Sequence, residues 1–180
     1  MFRTSEYGLL WGALFTSLLL TACVTDVRWR RIPNVLVVVI LATGVGFSTY
    51  SHPLKAALLS SAAGITLGFA IWIAFWFLGL IGAGDVKFFA AVGAWLGPGA
   101  AWRAALIAGI VGGVLAILAL LRDRRLKGGI ERTALAVSAR SLSLLGSTAG
   151  GENGARRHVP YGVALAAGAL TAAWLPTLLF

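Results

Sequence analysis

The sequence predicts an all-α fold: a polytopic integral membrane bundle of about six transmembrane helices. Three observations predict it. Charged residues make up only 12% of the 180 residues, against about 25% in a soluble domain. Hydrophobic residues make up 59%. Those residues are gathered into six apolar runs: Tyr7–Val24, Val35–Tyr50, Leu54–Ile81, Val86–Leu96, Ala101–Leu121 and Val159–Leu179. In lipid a spanning backbone must satisfy its own hydrogen bonds, and an uninterrupted apolar run does so as a helix. At roughly 20 residues per span plus loops, residues 1–180 make one membrane-embedded domain with no room for a second, soluble one.

The first run follows Arg3 and stops before Arg28, Arg30 and Arg31. The second opens after Pro33, which lacks an N–H and suits a first helical turn; Asn34 beside it can cap or bind nearby backbone. The third is free of charge from Ala56 to Ile81. The fourth is short. As a helix Val86–Leu96 reaches roughly 17 Å, against a hydrocarbon core of about 30 Å. Either it spans only part of the bilayer, or its helix continues through Gly97-Pro98-Gly99 with a kink. The fifth is apolar throughout except for Arg103. The sixth opens at Val159-Pro160-Tyr161, where Pro160 can again start a helix.

Charge sets the orientation. The first, third and fifth connections alternate in side with the second and fourth, so the six-run topology puts Asp26 and Asp85 on one face. Which face depends on the bases. The second connection carries only Lys55 and the fourth only Arg103; with Arg3 that is three bases on one side and twelve on the other. Eight of the twelve lie in the fifth connection, the basic loop 122–158. The positive-inside rule puts the twelve in the cytoplasm and both termini outside. The net charge of +9 is then explained by topology and anionic headgroups, and no nucleic-acid partner is expected. Within the basic loop, Glu131–Leu145 reads equally as an interfacial helix or as part of an irregular basic segment.

Leu20-Thr21-Ala22-Cys23 matches a lipoprotein cleavage box. Cleavage there would place the arginines after Asp26 outside, against the charge bias, so Cys23 is read as a small residue packed at a helix end. It is the only cysteine, so neither an internal disulfide nor a cysteine-based metal cluster is expected.

The chemistry points to two acids. Asp85 closes Gly82-Ala83-Gly84-Asp85, just after the charge-free third run, and Asp26 follows the first run. An acid at the end of a span is expensive to keep and functional by default. Two carboxylates brought together share one proton, because like charges at close range cannot both ionise. The ionised one can take a proton from water while the protonated one polarises a carbonyl. Simpler roles stand beside this. Asp26 can end a helix in water, paired with Arg28 or Arg30, and Asp85 can cap a helix beginning at Val86. Gly82 and Gly84 allow close backbone approach or positive φ, or serve small-residue helix packing, as at Gly64-x3-Gly68 and Gly109-x3-Gly113. No His, Cys or acid cluster has ligand spacing, and there is no Gly-x-Ser-x-Gly elbow; no metal or cofactor is expected.

These residues carry a resemblance. Asp26, then Arg31-Ile32-Pro33-Asn34, then Gly82-Ala83-Gly84-Asp85-Val86-Lys87, then Val159-Pro160-Tyr161-Gly162-Val163-Ala164, in that order between membrane spans, is similar to the type IV prepilin peptidase family of GxGD aspartic peptidases. The resemblance implies that Asp26 and Asp85 are the catalytic pair. It implies cleavage of the short basic leader of pilin-like precursors at the cytoplasmic face of a bacterial inner membrane. The substrate partner would be a pilin-like precursor within membrane lipid. Many members also carry paired CxxC motifs in an N-terminal region associated with methylation of the trimmed pilin. With Cys23 alone and a first span beginning near Tyr7, that region is expected to be missing, as in the short branch serving Flp-type (tight adherence) pili. Archaeal preflagellin peptidases stay open as a related subgroup.

The supporting positions have two readings each. Lys87 steadies the charge of the pair or snorkels to the surface. Tyr161 hydrogen-bonds in the site or anchors at the interface. Trp72, Phe75 and Trp76 at helical spacing are read as packing or lipid contacts. Two competing functions are a proton-coupled transporter and a noncatalytic pilus or secretion assembly subunit. The first would place its acids near the midplane. The second leaves both aspartates unexplained.

Overall fold

The structure, a computed structural model, describes residues 6–29, 31–78, 81–122 and 161–174, and every regular element in them is helical. In chain order these are α1 (Glu6–Trp29), α2 (Asn34–Ser51), α3 (Leu54–Phe77), α4 (Ala83–Arg122) and α5 (Tyr161–Trp174). By length and composition α1 to α4 can each cross a bilayer, while α5 is a shorter apolar helix. The chain is a multi-pass helical membrane protein. Apart from Leu78 and Ile81 at the end of the third, the six apolar runs fall on helix where they are described. The segment Glu131–Leu145, with its two readings, the rest of the basic loop and Pro160 lie outside the described residues.

The boundaries differ from the sequence reading in ways that matter at the site. The first run was expected to end at Val24, yet α1 continues to Trp29. The arginines mark where the chain leaves the apolar layer, not where the helix stops, since a helix satisfies its own backbone in either solvent. Asp26 is therefore a helical residue. The third run was expected to reach Ile81, but α3 stops at Phe77; Ile81 is buried outside any helix. Pro33 stands just before α2 with extended backbone (φ −60°, ψ 135°) and no side-chain cap, its carbonyl accepting the amides of Leu36 and Val37 at 3.0 and 3.3 Å. Proline thus precedes the first turn instead of occupying it.

Between the fourth and fifth runs the structure bears out the kinked continuation through Gly97-Pro98-Gly99. No loop separates them. The helix is interrupted at Gly97 alone, with φ 66° and ψ 175°. Only glycine takes that backbone without steric cost, and Pro98 is pre-set for a first helical position. Arg103, expected in a connection, lies within the helix. The first arm, residues 83–96, is about 20 Å long, short of a full crossing.

That arm is the centre of the bundle. Phe88, Phe89, Val92 and Trp95 are all buried. Helices in lipid gain little from hiding apolar surface, so close packing and interhelical hydrogen bonds must hold them. Here Gly64 of α3 and Gly93 of α4 face each other so closely that a Cβ on either would strike the other's backbone carbonyl. One turn further along α3, a Cβ at Gly68 would lie 2.9 Å from the Phe89 carbonyl. Ser61 Oγ donates to the Ala94 carbonyl at 3.2 Å across the same seam. Gly64-x3-Gly68 is thus a packing face. Among the described residues Gly109 and Gly113 have nothing within 4 Å of where a Cβ would be, so the same spacing makes no such contact there.

Trp95 ties the arm to the other side. Its Nε1 donates to the Ile40 carbonyl of α2 at 2.8 Å. Its ring stacks on Phe47 at 5.3 Å and meets Phe15 of α1 at 4.9 Å. The second arm folds back. Gly162 at the start of α5 touches Asp26, and Trp174 at its end donates to Thr16 Oγ1 at 3.3 Å, so α5 runs antiparallel to α1. Gly168, midway along α5, packs on Ala104 and Ala108. Those residues lie beyond Trp95 in sequence but back toward the Asp26 end in space, which requires a reversal at Gly97.

Candidate active site

Asp26 lies one turn from the end of α1, at 8% exposure. Its Oδ2 accepts the amide N–H of Gly162 at 2.8 Å, a bond between residues 136 apart. Gly162 is the second residue of α5, so its N–H belongs to the first four of a helix, which have no intrahelical acceptor. A carboxylate there also meets the positive end of the helix dipole.

Asp85 is held locally. It is the third residue of α4, not the cap of a helix beginning at Val86. Its backbone N–H donates to the Gly82 carbonyl at 3.2 Å, and its Oδ2 accepts the Gly82 N–H at 3.1 Å. A side chain three residues into a helix reaching back to the cap amide is half of a capping box. The carboxylate is half-buried.

The two acids are 59 residues apart in sequence, yet Asp26 is near enough for its charge to be felt at Asp85, after burial and the Gly82 hydrogen bond. The end of α1 and the start of α5 meet at one end of the bundle, and Asp85 at the start of α4 lies within reach of the Asp26 charge. His52 lies at the other end, where it lines a small hollow with Ser60 and Gly97.

The supporting residues are placed unevenly. Gly82 is part of the Asp85 turn, with a Cβ position 3.4 Å from Asp85 Oδ2, while Gly84 has open space in front of it. Neither needs positive φ; among the described residues Gly97 is the glycine that does. Lys87, Pro33 and Asn34 are exposed. Tyr161 directly precedes Gly162, and its side chain, like Pro160, lies outside the described residues. Arg28 is exposed and lies over the Trp29 ring, 5.7 Å from its centroid. Trp72 packs on Phe75 and Phe89, as a core aromatic. Among the described residues no group of three or more His, Cys, Asp or Glu is placed to hold a metal ion. Gly162 appears in the motif, but its role at the site was not read from the sequence. Its signal was a glycine inside the first turn of a helix, a costly residue there unless something needs the space.

The fold is that of a multi-pass helical membrane protein with two acids near one end of its bundle. The type IV leader peptidase family matches residues 13–117, more than half of the chain, and the chain belongs to that family. The type 4 prepilin-like proteins leader peptide-processing enzyme of Escherichia coli O78:H11 (strain H10407 / ETEC) is 30% identical over 112 residues, 58% of this chain and 41% of the relative. The chain thus matches about two fifths of the length of that relative. No solved structure matches it.

Proposed function

We propose that the protein is an aspartic endopeptidase that removes the leader peptide of type IV prepilin-like precursors, of the Flp type, with Asp26 and Asp85 as its catalytic pair. One observation carries the reading. In a chain of this family, two acids far apart in sequence are brought within electrostatic reach at one end of the bundle. The reaction needs one member of the pair ionised and the other protonated. The ionised carboxylate takes a proton from water as the oxygen attacks the scissile carbonyl. The protonated one donates to that carbonyl's oxygen, and the proton taken from water then passes to the amine nitrogen as the C–N bond breaks.

The charge bias of the sequence puts this end of the bundle at the cytoplasmic face of the inner membrane, with both termini outside. A pilin-like precursor, an apolar helix with a basic leader, would reach it laterally from lipid. Reporter fusions after Asn34 and Gly84 should report cytoplasm, and fusions near His52 and Gly99 the outside; the reverse pattern removes this orientation. The function is tested by co-expression with candidate pilin precursors. Wild type should shorten the precursor by its leader, and Asp85→Ala should leave it full length. Equal trimming by both excludes the assignment.

A further inference from the structure

We propose that Gly162 positions Asp26 for catalysis, by the amide it offers and by the side chain it lacks. The inference rests on the peptidase reading above and names a residue that reading does not require.

The amide argument is one of orientation. Oδ2 of Asp26 is held at 2.8 Å by a donor on a different helix. That donor has no acceptor within α5, and the helix end behind it favours a negative charge. Gly162 therefore both aims the carboxylate and stabilises its ionised form.

The steric argument is independent. A Cβ at position 162 would lie 2.7 Å from Oδ2, 3.0 Å from Cγ and 3.1 Å from Cβ of Asp26. Side-chain carbon does not come that close to its neighbours, and Asp26 is short and buried. The other site glycines differ: a Cβ at Gly82 would make an ordinary 3.4 Å contact, and one at Gly84 would meet nothing. Nor can α5 move aside freely, because Gly168 is seated on Ala104 and Ala108 and Trp174 is bonded to Thr16. With the helix pinned at its middle and end, a methyl at 162 must turn the carboxylate. Misplacing a catalytic group by about 1 Å can cost about 100-fold in rate.

Two measurements on the purified full chain test this. In the first, Gly162→Ala should lower kcat by about 100-fold on a precursor peptide while KM stays within about threefold. Val163→Ala, one residue along, should match wild type. A residue needed only for folding would lower the yield of folded enzyme and leave kcat per folded molecule intact, so a kcat within about threefold of wild type overturns the proposal. The second needs no activity. Alanine in place of a helical glycine ordinarily stabilises. Gly162→Ala should nevertheless lower Tm in the wild-type background, and leave it unchanged or raised in an Asp26→Ala background, where the carboxylate is gone. An equal fall in both backgrounds overturns the contact. Should Gly162→Ala fold too poorly to assay, replacing Gly162 by glycolic acid through semisynthesis removes the N–H and adds no atoms. That variant should lose about 10-fold or more in kcat, and a wild-type rate overturns the role of the amide. Absence of cleavage by the wild type would refute the peptidase reading instead, with the Tm comparison still deciding the Gly162–Asp26 contact.

Discussion

Asp26 and Asp85 sit at the same end of the bundle and are held in opposite ways. Asp85 is fixed by Gly82, three residues earlier, in a turn that closes on itself. Asp26 is fixed by Gly162, 136 residues away. The supports behind them differ too. Asp85 rides on the first arm of α4, locked to α3 through Gly64 and Gly93. Asp26 depends on α5, which is seated on the second arm through Gly168. One half of the pair is a local motif on a rigid arm, and the other is assembled only when the last helix docks. A site so divided needs the reversal at Gly97, because that turn brings the second arm, and with it α5, back to the end where both acids lie.

The largest effect should come from the seam that supports both halves. Gly64→Val drives a branched side chain into the Gly93 backbone; overpacking of this kind costs about 3 kcal/mol or more where backbone must move. Little folded protein should survive detergent extraction, measured by size-exclusion recovery, and normal recovery would mean the seam is loose. A smaller effect separates the two halves. Gly168→Leu should push α5 off Ala104 and Ala108 and withdraw Gly162 from Asp26, while leaving the Asp85 turn untouched. Cleavage should fall by about 10-fold or more, with a Tm loss of a few degrees, as for a change of about 1–2 kcal/mol. Full activity would show that Asp26 does not depend on α5. The smallest effect belongs to Gly84→Ala, which meets nothing; stability should stay within about 0.5 kcal/mol of wild type, and a large loss would show that the start of α4 is more crowded than its geometry indicates.

The same division explains what the sequence discloses. The all-helical membrane fold follows from runs such as Ala56–Ile81, because lipid leaves an apolar backbone few alternatives. Asp85 is legible because its partner lies in the same short motif, although the motif alone placed it as a cap instead of the third residue of α4. The packing of Gly64-x3-Gly68 is suggested by spacing, but Gly109-x3-Gly113 has identical spacing and no neighbour among the described residues. The difference is the glycine opposite, Gly93, which no local pattern identifies. Gly162 is obscured for the same reason: its acceptor is on α1, and the motif around it draws attention to Tyr161. The reversal at Gly97 was written in Gly97-Pro98-Gly99, but the same residues equally suit a loop. Sequence therefore reports local geometry well and pairings between distant helices poorly.

The central claim is that Asp26 and Asp85 work as one unit. It is tested most directly by single-turnover cleavage of a precursor peptide by purified Asp26→Asn, Asp85→Asn and the double variant, each shown to be folded. Groups that act as a unit are strongly non-additive. The account predicts that both single variants fall to the residual rate of the double variant. A single variant that keeps substantial activity, or a double variant that loses the product of two separate partial effects, would contradict it.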